Sequence, residues 1–144
     1  MWKIPKIDQT NIRPKLYSCP MSNIALVQMQ PKLGDKAHNL EIVERAIGST
    51  DAQVLVFAEM FLTGYTLRDR YPDMAEDLDG PSVKRIEELA KDNERWIIIG
   101  MPEKDNEHTG LLFNSALIAG PDAPPETYRK MVLANFGPFE EDTY

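Results

Sequence analysis

Two short apolar runs, NIALVQMQ (23–30) and QVLVF (53–57), flank a segment with helical periodicity, and this pattern limits the fold more than any other feature. Nearly continuous apolar runs of this length suit strands covered on both faces. Between them Ala37, Leu40, Val43 and Ile47 recur at three- and four-residue spacing, so 36–48 reads as an amphipathic helix, with Asp35 as its N-cap. A strand–helix–strand opening argues for parallel strands with a helix on one face.

The pattern then repeats and changes. DGPSVKRIEELAKDNE (79–94) reads as a second helix, with Pro81 in its first turn and Val83, Ile86, Leu89 and Ala90 as its stripe. WIIIGMP (96–102), LLFNSALIAG (111–120) and ETYRK (126–130) read as strands, joined by the polar turn 104–110 and by PDAPP. Short turns favour antiparallel additions at an edge. The expected fold is α/β (α+β): a mixed sheet with helices on one face, in the order β-α-β-α-β-β-β. Residues 1–21, rich in Lys, Pro and Asn, read as an N-terminal arm or as the product of an upstream start, with Met21 just before the first strand.

Composition excludes several functions. A net charge of −7 argues against a nucleic-acid surface. No apolar run approaches the ~18 residues of a membrane span, and the N-terminus lacks the apolar core of a secretory signal. The single cysteine, Cys19, cannot form an internal disulfide, which fits a cytoplasmic setting.

Few residues are placed for chemistry. Glu59 stands two residues past a strand, where α/β folds gather functional groups. Phe57, Met60, Phe61 and Leu62 surround it in sequence, an apolar enclosure that suits a general base; the alternative is a solvated strand-end carboxylate. Lys130 ends the fifth strand and could hold a fixed positive charge where an oxyanion develops, or simply protect an edge. Glu140 and Glu141 are adjacent, so their side chains diverge, and acidic surface is the plainer reading. His38 and His108 lack partners at metal-ligand spacing, and neither a metal nor a cofactor is expected. Cys19 precedes the first strand, and Pro20 after it has no N–H for an oxyanion, so Cys19 is a poor nucleophile.

Several segments resemble the nitrilase superfamily of carbon–nitrogen hydrolases, in the family's order. IALVQMQPKLGDKAHNLE is similar to its opening strand and helix, and VLVFAEMFLTGY to its first catalytic signature, with Glu59 at the general-base position. Ala58 stands where the family usually has proline. LDGPSV, IIIGMPE and LFNSALIAGPD are similar to the segments that follow, and YRKMVLANFGPFEEDTY to the second signature. That signature, in a register close to glutaminase-type amidase domains, places Lys130 at the catalytic lysine. It puts Glu141 at the second, substrate-orienting glutamate, with Glu140 one residue away.

The resemblance covers residues 22–144. It implies a partial four-layer α-β-β-α sandwich and cofactor-free hydrolysis of small-molecule amide, carbamoyl or nitrile C–N bonds by a Glu–Lys–Cys triad. The family's cysteine follows the second signature, so the nucleophile is expected beyond Tyr144, in a C-terminal half that also carries most of a second sheet. Residues 1–144 alone are therefore expected to be inactive, and to form a homo-oligomer or join that half. Two other readings stand beside this one. A non-catalytic binding or regulatory module could keep the front of the fold. An acyltransferase of a membrane-bound relative's type is disfavoured by the lack of a spanning segment.

Overall fold

The computed structural model of the chain describes residues 23–134. The arm read over 1–21, Cys19, Glu140 and Glu141 lie outside the described residues. Among the described residues five strands form one sheet in chain order: β1 (Ile24–Val27), β2 (Val54–Phe57), β3 (Trp96–Lys104), β4 (Leu112–Ala119) and β5 (Glu126–Arg129). β1, β2 and β3 run parallel, and β4 and β5 are antiparallel additions. Helix α1 (Lys36–Gly48) joins β1 to β2, while a short helix α2 (Tyr71–Met74) and helix α3 (Pro81–Asp92) lie between β2 and β3. The mixed sheet and its two main helices thus match the expected α/β arrangement.

Local rules account for the helix ends. Asp35 caps α1, its side chain accepting from the His38 N–H at 3.0 Å. Pro81 opens α3, where its absent N–H costs nothing. Val83, Ile86, Leu89 and Ala90 are all buried, as the stripe predicted. In α1 the buried set is Asn39, Ile42, Val43 and Ile47, so Ala37, assigned to the stripe, is exposed. Asn39 takes the place because it is the polar staple of a turn. Its amide donates to Lys32 O and Leu62 O at 2.9 and 3.0 Å, and its oxygen accepts from Lys32 N at 2.7 Å.

One face of the sheet packs on α1 and α3. Leu55, Ile97, Ile99 and Leu117 are each 0% exposed there, and burying each contributes roughly 1.5–3 kcal/mol. The opposite face is apolar and, among the described residues, open, so coverage of the strands on both faces is not found there. Ile24, Leu26, Trp96 and Tyr128 are 62%, 72%, 41% and 58% exposed, with Val54, Val56, Ile98, Ala116 and Ile118 half-buried among them. The strand register places all nine on one side.

Residues 65–80 carry structure that periodicity did not reveal. A 3₁₀ turn (Arg68–Arg70) leads into α2, and Leu67, Tyr71, Ala75 and Leu112 make a second small core around Met60. Glu76 ties this segment down. Its backbone N–H donates to Pro102 O at 3.2 Å and its carbonyl accepts from Lys104 N at 3.0 Å. The side chain, 7% exposed, pairs with Lys36 and accepts from Ser82 N and Ser82 Oγ at 2.8 and 2.7 Å. Burial alone would raise this carboxyl, but the Lys36 ammonium and the two Ser82 bonds outweigh it and hold the group below its ordinary 4.5. A depressed acid stabilises the fold above its unfolded value and loses that contribution as pH falls through the folded one. The melting advantage of the native chain over Glu76→Gln should therefore hold near neutrality and shrink below about pH 4. Melting curves at several pH values check this; an advantage independent of pH would refute it.

Among the described residues no helix is long and apolar enough to cross a membrane, and no three His, Cys, Asp or Glu side chains gather to hold a metal ion.

Candidate active site

The site is built at the end of β2. After Phe57 the chain makes a tight turn in which Phe61 N donates to Ala58 O at 3.2 Å, and Thr63 N and Gly64 N donate to Met60 O at 3.2 and 2.7 Å. Met60 adopts φ 53°, a conformation that costs a side-chain-bearing residue energy unless packing imposes it. The packing is there. Met60 inserts into the small core, while Phe61 and Leu62 insert into the main one. With its three neighbours drawn inward on two sides, Glu59 is left facing out.

β3 comes very close beneath this turn, at Gly100. A Cβ on Gly100 would lie 2.2 Å from Met60 N, 2.7 Å from Glu59 Cα and 2.8 Å from Ala58 O. Only glycine permits this approach. Two backbone hydrogen bonds use it: Leu62 N donates to Gly100 O at 3.0 Å, and Gly100 N donates to Ala58 O at 3.3 Å.

β4 and β5 bring the other groups. Lys130 follows directly after β5, and its Nζ stands 2.8 Å from Glu59 Oε1. Asn114, in β4, donates from its side-chain amide to the same Oε1 at 2.7 Å, while its backbone carbonyl accepts from Lys130 N at 2.8 Å. One asparagine therefore contacts both members of the pair. Sequence reading did not single it out, because LLFNSALIAG scans as a plain buried strand. The available signal was a polar pair, Asn114 and Ser115, inside an apolar run.

These residues floor a recess of about 260 Å³, lined also by Phe57, Ile98, Ala116 and Tyr128. That is somewhat below the ~300–1,000 Å³ of most small-molecule sites. The recess lies on the open apolar face of the sheet. The apolar enclosure expected for Glu59 is not present among the described residues: its side chain is 48% exposed and that of Lys130 32%. Met60, Phe61 and Leu62 point away from it, into the cores. The described part of the site is thus a carboxylate, a cation and an amide held on a half-open floor.

Of the residues predicted for the site, the structure brings Glu59 and Lys130 together. Glu140 and Glu141 fall outside the described residues. His108 contacts Asp105 in an exposed turn at 2.9 Å, and His38 lies on α1 near Glu41.

The profile of the carbon–nitrogen hydrolase family matches residues 23–144. A probable nitrilase of Schizosaccharomyces pombe is 31% identical over 102 residues, which are 67% of this chain and 38% of that protein. An (R)-stereoselective amidase of Pseudomonas sp is 30% identical over 112 residues, covering 76% of this chain and 40% of the amidase. Among solved structures, a CN-hydrolase superfamily protein of Xanthomonas campestris superposes with a TM-score of 0.68 at 26% identity, over 78% of this chain and 42% of that one. The chain spans about two fifths of the length of these relatives.

Proposed function

From the premise that the chain belongs to the carbon–nitrogen hydrolase family, we propose that it supplies the base and the oxyanion-binding cation of an amidase-type active site. The observation that carries this is the 2.8 Å pair of Glu59 and Lys130, drawn together from 71 residues apart on the floor of an open recess.

The chemistry follows from the groups present. A thiolate from a segment outside these 144 residues attacks the carbonyl carbon of an amide, and Glu59 takes the thiol proton. The carbonyl oxygen becomes an oxyanion, which the Lys130 ammonium stabilises. Collapse of the intermediate breaks the C–N bond; the amine leaves with the proton held by Glu59, and a thioester remains. Glu59 then deprotonates water, which attacks the thioester and releases acid and thiol. Glu141 is the proposed second glutamate, orienting the substrate. Asn114 holds the Glu59 carboxylate in place through both steps.

The deciding experiment assays the protein, with whatever coding sequence follows Tyr144, against ω-amides, N-carbamoyl compounds and nitriles. Hydrolysis of one class supports the reading; no hydrolysis of any class counts against it. Residues 1–144 alone should not turn over. Activity of that segment, lost in Cys19→Ala, would overturn the placement of the nucleophile.

The open face adds a physical prediction. A contiguous apolar sheet surface with an uncovered edge favours association. Residues 1–144 expressed alone should self-associate, or bind a separately expressed downstream half. A well-protected soluble monomer, by size exclusion and hydrogen exchange, would contradict this.

A further inference from the structure

Lys130 follows a short strand that pairs with β4 along one side. β5 has four residues, and Glu126, Tyr128 and Arg129 are exposed. Yet the ammonium must stay within hydrogen-bond distance of Glu59 if the site is to work as proposed. The opposite face of the sheet shows what fixes it.

Successive strand residues alternate between faces. Asn114 and Lys130 lie on the recess side, so their neighbours Ser115 and Arg129, which are register partners, lie on the helix side. There Glu103, only 4% exposed, receives both of them. Its Oε1 accepts from Arg129 Nε and Nη2 at 3.0 and 2.6 Å, and its Oε2 accepts from Ser115 Oγ at 2.6 Å. Arg129 also reaches Asp105 Oδ2 at 3.3 Å, and its guanidinium lies 3.7 Å above the Phe113 ring. Arginine suits this post because its planar head can hold carboxylates and stack on an aromatic face at once.

We propose that Glu103 and Arg129 form a clamp on the helix-facing side of the sheet that sets Lys130 against Glu59. Both are then positioning residues, acting through the backbone of one strand. The clamp fixes residue 129 from the helix-facing side, and the Lys130 N–H bonded to Asn114 O ties residue 130 to β4 within the sheet. With the backbone of residue 130 so placed, the extended lysine side chain brings its Nζ to 2.8 Å from Glu59 Oε1. The idea rests on the reading of Glu59 and Lys130 as a working pair, but it does not need turnover to be tested.

The test measures acylation of individual lysines by an N-hydroxysuccinimide ester of acetate, resolved by peptide mass spectrometry on the protein as its gene encodes it. Lys32 and Lys84, whose side chains are 63% and 59% exposed, serve as internal references. Glu103→Gln is the main variant, because glutamine can still accept from Ser115 while losing its charge for Arg129. The Lys130 rate should rise several-fold relative to both references in Glu103→Gln and in Arg129→Gln, and lie between these and the native rate in Arg129→Lys. If Arg129→Gln fails to fold, Glu103→Gln decides alone. An unchanged Lys130 rate overturns the clamp, and so does an equal rise at all three lysines, which would mean general loosening. In an active enzyme Glu103→Gln should lower kcat and leave KM near its native value. A selective rise at Lys130 in a protein that hydrolyses nothing would keep the clamp and discard the reaction.

Discussion

Glu59→Gln should lower kcat by about 10²–10⁴-fold in the active enzyme while the fold stays intact, because glutamine cannot accept the thiol or water proton. The change is nearly isosteric. The new amide can still accept from Asn114, and the ion pair it removes involves a carboxylate that is 48% exposed. Pairs as open as this are worth about 0–1 kcal/mol, so melting should barely move. Lys130→Ala should cost a comparable factor, about 10²–10³, through loss of the group facing the oxyanion. The two residues act as one unit, so the double variant should fall little further than either single one. Steady-state kinetics with melting curves as the folding control would test this. Native-like turnover from either variant would sink the assignment of the site.

The second large effect is on the fold beneath the site. Gly100→Ala adds one methyl group against three backbone atoms, the nearest at 2.2 Å. Backbone cannot rotate aside as a side chain can, so β3 and the 58–62 turn must part. Overpacking of this kind costs about 1–3 kcal/mol, occasionally more. In a domain of this size that corresponds to a melting decrease of several degrees, at about 2–4 °C per kcal/mol. Because the strained contacts include Glu59 Cα, any folded Gly100→Ala protein should also lose activity beyond what its stability loss explains. A variant that melts and turns over like the native chain would show that the close approach is dispensable.

The two effects separate the chemistry from its support, and they differ in how readily sequence reveals them. Glu59 was legible because it follows an apolar run whose end is marked by a change of pattern, and Lys130 because it ends a strand-like segment just before the apolar Met131, Val132 and Leu133. That the two meet was implied by family resemblance; it does not follow from periodicity, which says nothing about which strand ends adjoin. Gly100 reads as strand punctuation in IIIGMP, and only the structure shows a second backbone lying on it. Glu103 was hidden more deeply. It falls one residue past the expected end of the strand, where a carboxylate scans as solvated turn, and β3 in fact continues through Lys104. Its burial depends on Ser115 and Arg129 arriving from two later strands.

The same contrast holds for the scaffold. Asp35, Pro81 and the α3 stripe were legible because capping and helical periodicity are local. The α1 face was partly misassigned because Asn39 is buried for its hydrogen bonds to Lys32 and Leu62, and apolar periodicity is blind to such a residue. Helix α2, four residues long, is too short to show a period at all. The open sheet face was not legible, because an apolar run shows that a strand has two apolar sides and says nothing about what packs against Ile24, Leu26 and Tyr128.

The coincidence of strand order with chain order bears on how the molecule assembles. Among the described residues no strand has to be threaded between two others already in place, so each can dock beside its predecessor as it emerges from the ribosome. At every step the loop to be closed reaches back only to the preceding strand, which limits the entropy lost before contacts form. Among the described residues β5 is the last strand to dock, and Lys130 comes immediately after it. The carboxylate after β2 and the amide on β4 are thus in place before the cation reaches them, and the two charged groups of the recess meet only after four of these strands have docked.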